Sequence, residues 1–289
     1  MIELNSVICG DCAELLTGLD EPVADLIFAD PPFNIGYKYD VYRDRKKYDQ
    51  YCDWTRQWMA ACLKALKPTG SFWLAIGDDY AAEARIIGRE LGLHLRNWVI
   101  WHYTFGQNTK KKFARSHTHL LYWVKDPKQF TFNDMAVRIP SARQTTYADR
   151  RANPKGKLPD DVWSFSRVCG TFNERVGWHP CQMPERLLER IVKACSNSGD
   201  VALDPFSGSG TTCVVAARLA RQYVGIDLSS DYVRQSRKRI ADALSGKRKT
   251  TEIAENPQLL RKDRSVGGAK GRTPGGPRRK TTQTAAGLF

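Results

Sequence analysis

The sequence predicts a doubly wound α/β fold, built on a mostly parallel sheet and carrying one insertion. Three observations predict it. Short, nearly continuous apolar runs recur, as strands buried on both faces require. Segments of helical periodicity separate those runs, so strand and helix alternate. Between residues 125 and 178 the periodicity weakens and polar residues dominate, and the alternation then resumes. At 289 residues, 42% of them hydrophobic, the chain can bury a sizeable core.

The first strand is read at 23–29, where Val23-Ala24-Asp25-Leu26-Ile27-Phe28-Ala29 stops at Asp30-Pro31-Pro32-Phe33. Two prolines there remove ladder donors. Residues 34–53, dense in Tyr, Lys, Arg and Asp, read as a long surface loop. A helix over 54–66 closes at Lys67-Pro68-Thr69-Gly70. Then come a strand at 71–76, a helix at 81–91 and strands at 98–103 and 120–124. After the insertion, Leu187, Leu188, Ile191, Val192 and Cys195 form one helical stripe. A strand at 201–203, a helix at 211–221, a strand at 223–226 and a helix at 229–244 follow, with Ser229 as N-cap.

The net charge is +14, and residues 245–289 hold eleven Lys/Arg against three Asp/Glu, so +8 of it lies there. That stretch is rich in Gly and Pro and reads as a disordered basic tail able to add non-specific phosphate affinity. A polyanionic partner fits the balance. No apolar run reaches the ~18–20 residues of a membrane span. The opening Met1-Ile2-Glu3-Leu4-Asn5 lacks a secretory pattern, and cytoplasmic residence with reduced thiols is expected.

Asp204-Pro205-Phe206-Ser207-Gly208-Ser209-Gly210-Thr211-Thr212 joins a strand to a helix. Glycines permit a tight turn and close ligand approach at the positive end of the helix. The next strand ends at Asp227, 19 residues beyond Gly208, the spacing at which a carboxylate meets ribose hydroxyls. Cys213 replaces the third glycine of a dinucleotide fingerprint, and no Gly-Lys-Ser/Thr follows. Asp204 would repel a pyrophosphate but suits an ammonium or sulfonium, so adenosine with a cationic appendage fits best.

Asp30-Pro31-Pro32-Phe33 together with the glycine loop resembles the amino-group DNA methyltransferases that use S-adenosylmethionine. Gly10-Asp11-Cys12 is similar to the family's segment before its first strand, and His179-Pro180-Cys181-Gln182-Met183-Pro184 to its His-Pro-Thr-Gln-Lys-Pro element. The order, with the Asp-Pro-Pro-Phe loop first, corresponds to the beta class, and the resemblance covers about residues 2–244. It implies a Rossmann-like methyltransferase domain in permuted order over 1–124 and 179–244, with a target-recognition insertion at 125–178. It also implies Asp11 at the cofactor's adenine and Asp227, followed by Leu228, on its ribose side. Asp204, Phe206, Gly208, Gly210, Thr211 and Thr212 would hold the methionine part. His179, Gln182 and Pro184 would close the site, while Met183 stands where the family has Lys.

The chemistry accounts for the catalytic loop. An exocyclic amine is a poor nucleophile because its lone pair is delocalised into the ring. Asp30 and the Pro31 carbonyl can accept its two hydrogens, steering the lone pair toward the methyl donor. Pro31 and Pro32 offer no competing N–H. Phe33 offers a face for the base, which must first flip out of a duplex. By the family resemblance, Asp-Pro-Pro-Phe rather than Ser-Pro-Pro-Tyr implies adenine N6. The alternatives are N4 of cytosine, C5 of cytosine through Cys181 as nucleophile, an RNA substrate, or a non-catalytic DNA-binding protein.

For DNA, Arg43, Arg45, Lys46 and Lys47 on one stretch and Lys110, Lys111, Lys112 and Arg115 on another are the expected phosphate contacts. Arg138, Arg143, Gln144, Arg150, Arg151 and Asn153 of the insertion are candidate base readers. A homodimer and a cognate restriction endonuclease are further partners the family implies. No metal is expected: Cys9 and Cys12, though spaced Cys-x-x-Cys, lack completing ligands and read as packing residues. His117 and His119 are expected to point to opposite faces of a strand.

Overall fold

The computed structural model describes residues 2–104, 109–170 and 172–247. The tail beyond 247 lies outside them, as does the start of the second basic stretch at 105–108. The elements run β1 Ser6–Cys9, α1 Cys12–Thr17, β2 Ala24–Ala29, α2 Tyr48–Ala65, β3 Leu66–Ile76, α3 Ala81–Glu90, β4 His94–His102 and β5 His117–Val124. After a 3-10 turn at Asp134–Val137 come α4 Ala142–Thr145, β6 Val162–Ser164, α5 Glu185–Cys195, β7 Val201–Asp204, α6 Thr211–Arg218, β8 Gln222–Asp227 and α7 Ser230–Leu244.

The strands form one sheet in the order β1-β8-β7-β2-β3-β5-β4-β6. All neighbouring pairs are parallel except those made by β5, which runs antiparallel to both β3 and β4. The predicted doubly wound, mostly parallel sheet is therefore present. Strand residues alternate between two cores, as the pleat requires. Ile27, Ala29, Phe72 and Leu74 face α1, α2 and α3, while Leu26, Phe28, Trp73 and Ala75 face α5. A third cluster, with Val7, Val214, Val233 and Ile240, seats α6 and α7 on β1. The α5 stripe read from the sequence is wholly buried: Leu187, Leu188, Ile191, Val192 and Cys195.

The connection order reverses between β2 and β7. Ile27 pairs with Leu203, so Asp204 lies beside Phe28 and Asp30 just past it at the same sheet edge. Ligands of open α/β sheets bind at such a switch point, beyond the carboxyl ends of the strands. The Asp25 carboxylate anchors the opposite end of β2, accepting from the Val201 N–H (2.9 Å) and the Lys67 ammonium (2.8 Å).

Several expectations need correction. Residues 34–53 are not simply a surface loop: α2 begins at Tyr48, and the remainder folds inward around the Asp44 carboxylate. That carboxylate, 2% exposed, accepts the N–H groups of Asn34, Ile35 and Tyr37. Gly10-Asp11-Cys12 does not precede the first strand but follows one, because Ser6–Cys9 pairs in parallel with β8. His117 and His119 share a face, their rings 4.9 Å apart, because residues two apart in a strand always do. Segment 125–178 contributes β6 to the sheet edge beside β4, and the Asn133 side chain donates to the carbonyls of Lys193 and Ser196 at the end of α5. Among the described residues no helix is long and apolar enough to cross a membrane.

Candidate active site

A cavity opens at the switch point. It encloses about 950 Å³ of space, part of it open to solvent. Its walls come from four loops: Gly10-Asp11-Cys12 after β1, Asp30 and Pro32 after β2, residues 204–212 after β7, and 227–229 after β8. Tyr39, Asp40, Val41 and Tyr42 line it as well, as do His179, Cys181 and Met183.

The glycine loop is built from its own polar groups. The Asp204 carboxylate accepts the Phe206 N–H (3.0 Å) and the Thr212 hydroxyl (2.6 Å), which folds the turn back on the strand end. Gly208 has φ +47° and Gly210 has φ +74°, a left-handed conformation that favours glycine. A Cβ at Gly208 would stand 2.6 Å from His179 Nε2, and one at Gly210 would stand 2.8 Å from Ser236 Cβ. The Gly208 N–H donates to Asp227 (2.8 Å), whose other oxygen accepts the Ser229 N–H (2.9 Å). Ser229 caps α7 as predicted and also donates to Asp40 (2.5 Å), latching the 34–47 segment over the cavity.

The catalytic loop is braced from α2. Buried Tyr51 donates its hydroxyl to the Pro32 carbonyl (2.7 Å), and Phe33 packs against Gly77 after β3. Asn34, at φ +59°, donates to the Tyr80 hydroxyl (2.8 Å) and the Lys46 carbonyl (3.0 Å).

Acidity dominates the cavity. Asp11, Asp30, Asp40, Asp204 and Asp227 all line it, and among the described residues no lysine or arginine does. Burial and the charge of Asp204 push Asp30 up to about 8. Burial raises Asp204 to about 7 despite its hydrogen bond from Thr212. Asp227 is raised by burial as well. Burial lowers His179 to about 4, so the ring is neutral at pH 7, and its Nδ1 is buried without a hydrogen-bond partner. Carboxylates held above their ordinary range beside a neutral ring need a cation to settle them. An adenosine carrying a sulfonium and an ammonium meets that need.

The structure therefore brings Asp11, Asp30, Pro32, His179, Asp204, Phe206, Gly208, Thr211, Thr212, Asp227 and Leu228 to one cavity. Pro31, Phe33 and Gly210 sit beside it within the same loops. Gln182 and Pro184 do not line it. Gln182 is buried, donating to the Glu174 carbonyl (2.7 Å) and accepting from the Val176 N–H (2.9 Å), and Pro184 caps α5. Asp11 accepts the Ala13 and Glu14 N–H groups at the start of α1.

Sequence reasoning missed Tyr51, the Asp40–Ser229 latch and Arg239. The Arg239 guanidinium, buried in α7, donates to the Ser209 carbonyl (2.9 Å) and Thr211 hydroxyl (2.8 Å), and reaches Glu185 on α5 (2.8 Å). A charge on the buried face of α7, next to Ile240 and three residues from Ser236, was the available signal.

Of the basic residues, Arg115 is paired with Asp78 (2.7 Å) and Asp79 (3.2 Å), and Arg143 and Arg151 share Asp149. Arg138 pairs with Asp134 (2.8 Å), and Lys46 lies 5.5 Å from the Tyr42 ring. Arg43, Arg45, Lys47, Lys110, Lys111, Lys112 and Arg150 are exposed.

A sequence profile of a family described as DNA methylase matches residues 24–238. The chain is similar to a type II methyltransferase, M.HpaI, of Haemophilus parainfluenzae, with 35% identity over 83% of this chain and 75% of that one. It is also similar to the DNA adenine methyltransferase YhdJ of Escherichia coli K12, with 34% identity over 90% of this chain and 94% of that one. The crystal structure of an M1.HpyAVI–SAM complex superposes with a TM-score of 0.58 at 21% identity, covering 81% of this chain and 98% of that one, a likeness of fold.

Proposed function

Because the chain belongs to the DNA methylase family that modifies exocyclic amino groups, and is an S-adenosylmethionine-dependent DNA methyltransferase, we propose that it methylates N6 of adenine within a specific sequence of double-stranded DNA. The observation that supports this most is the meeting of Asp30 and the Gly208 loop in one acidic cavity, from strands that are neighbours in space and far apart in sequence.

S-adenosylmethionine, when bound, supplies a methyl group on a positively charged sulfur. Residues 204–212 and Asp227 would hold its methionine and ribose parts, with Asp11 toward the adenine. Asp30 and Asp204 would ionise more readily beside that charge. The Asp30 carboxylate and the Pro31 carbonyl then accept the two amino hydrogens of the extruded base and aim its lone pair at the methyl. Tyr51, by fixing the Pro32 carbonyl, keeps that loop from swinging. No group of the protein bonds covalently to the base, so positioning carries much of the rate. Cys181 stays a thiol: burial and Asp30 push it up to about 11, which argues against a nucleophilic attack on a cytosine ring.

Adenine rather than cytosine is supported by Asp at the head of the loop and by the relative named an adenine methyltransferase. Segment 125–178 is the proposed sequence reader, with 1–124 and 179–244 as the catalytic domain. The exposed cations and the 245–289 tail hold phosphates. Duplex substrate puts the enzyme in the cytoplasm, at the nucleoid. The type II relatives support a restriction endonuclease of the same specificity as a partner, and a second copy of the chain is the other.

Sequencing modified bases in DNA from cells expressing the chain tests the reading. N6-methyladenine at one short sequence is the expected result, and N4-methylcytosine would overturn the base assignment. Asp30→Ala should abolish the mark while the purified variant still binds S-adenosylmethionine.

A further inference from the structure

Phe113 is 99% exposed, the most exposed large apolar side chain among the described residues. It stands in the β4–β5 hairpin directly after Lys110, Lys111 and Lys112. β4 runs parallel to β2 and β7, so residues 109–116 lie at the end of the sheet where Asp30 and Asp204 end their strands.

The 109–116 part of the hairpin is tethered toward the catalytic loop. Arg115, two residues on, pairs with Asp78 and Asp79. Those follow Gly77, which packs against Phe33 of the Asp-Pro-Pro-Phe loop. The next residue, Tyr80, accepts a hydrogen bond from Asn34 (2.8 Å). At its base the hairpin is closed by the Tyr103 N–H donating to the Ser116 carbonyl (2.9 Å). Thr109 donates to the Lys112 carbonyl, forming a turn immediately before Phe113. Arg115, anticipated as a phosphate contact, thus serves as the tether.

Three cations beside a bare aromatic ring match one surface above others. The lysines suit phosphates, and the ring suits the apolar, flat interior of a base stack. Removing one base from that stack leaves a gap of aromatic dimensions, and closing it with water forfeits the stacking on both sides.

We propose that Phe113 enters the duplex from this hairpin and fills the space vacated by the extruded target base. This rests on the methyl-transfer reading above. The role is to hold the target out while Asp30 engages its amine. Binding strength comes mainly from the phosphate contacts.

The test uses the full chain, S-adenosylmethionine and a duplex carrying the methylated sequence found as above. In Phe113→Ala, affinity for the duplex should stay within about threefold, since phosphates supply most of it. Single-turnover methyl transfer should slow by about ten- to hundredfold. The fluorescence rise of 2-aminopurine placed at the target position should disappear. Phe113→Trp should retain both properties. A duplex with an abasic site facing the target base, where extrusion is already easy, should restore Phe113→Ala to near the wild-type rate. Unchanged turnover in Phe113→Ala on the matched duplex would overturn the proposal. So would equal slowing on both duplexes. No transfer by the wild-type chain would instead overturn the underlying reading, and this assignment with it.

Discussion

At the scale of single residues, the cavity stores electrostatic strain in Asp30 and Asp204. Both are held above the ordinary carboxylate range, Asp30 at about 8 and Asp204 at about 7. A carboxylate raised in the folded state costs stability once the unfolded chain ionises. The penalty therefore begins as pH rises past about 4 and is complete above about 8. Asp30→Asn should raise the ligand-free Tm at pH 8.5 by about 2–8 °C, for roughly 1–2 kcal/mol after allowing for partial exposure. The gain should shrink toward pH 4 while methyl transfer is lost, and calorimetry checks it. Binding of the cationic cofactor should likewise release protons near pH 7, so its heat should change with the ionisation enthalpy of the buffer. Cys181→Ser should keep turnover within about threefold, because a thiol so far from ionisation is no nucleophile. Asp30, Asp204 and Asp227 were legible because their chemistry is written in adjacent prolines and glycines. Tyr51 and Arg239 were not, since a lone tyrosine or arginine in a helix gives no sign of which carbonyl it will meet.

Among the elements, the long buried runs were legible and the short ones were not. β2, β3 and α5 announce themselves by continuous apolar strands or a full stripe. β1 with four residues and β6 with three are strands only because β8 and β4 lie beside them. α2 starts at Tyr48, ahead of the apolar stripe that marks it, because Lys46 and the segment before it are fixed by Asn34 and Asp44. Helices α5 and α7 meet through Glu185, which accepts from Arg239 (2.8 Å) and Arg218 (3.0 Å) with its carboxylate almost wholly buried. Glu185→Ala would strand buried charge and should cost about 3–5 kcal/mol in urea unfolding. Cofactor affinity should fall with it, because Arg239 also grips the glycine loop. Gly208→Ala should lower that affinity more than tenfold with little change in stability elsewhere, as its Cβ would press on His179 and strain a left-handed backbone.

For the molecule as a whole, the proposed function gives the acidic cavity to the cofactor and the exposed cations to nucleic acid. Seven exposed cations, Arg43, Arg45, Lys47, Lys110, Lys111, Lys112 and Arg150, predict a slope of about −6 in log affinity against log salt. Replacing Lys110, Lys111 and Lys112 by alanine should flatten it by about 3, as a fluorescence-anisotropy titration would show. The β2–β7 pairing has a consequence for synthesis. Ile27 cannot meet Leu203 until the last third of the chain leaves the ribosome, so the centre of the sheet closes late, across a long and entropically expensive loop. A nascent chain therefore holds its base-handling half for many seconds with no means of gripping a donor. Methyl transfer must wait until Leu203 and the glycine loop after it have been made, and products truncated before them should be silent rather than half-active.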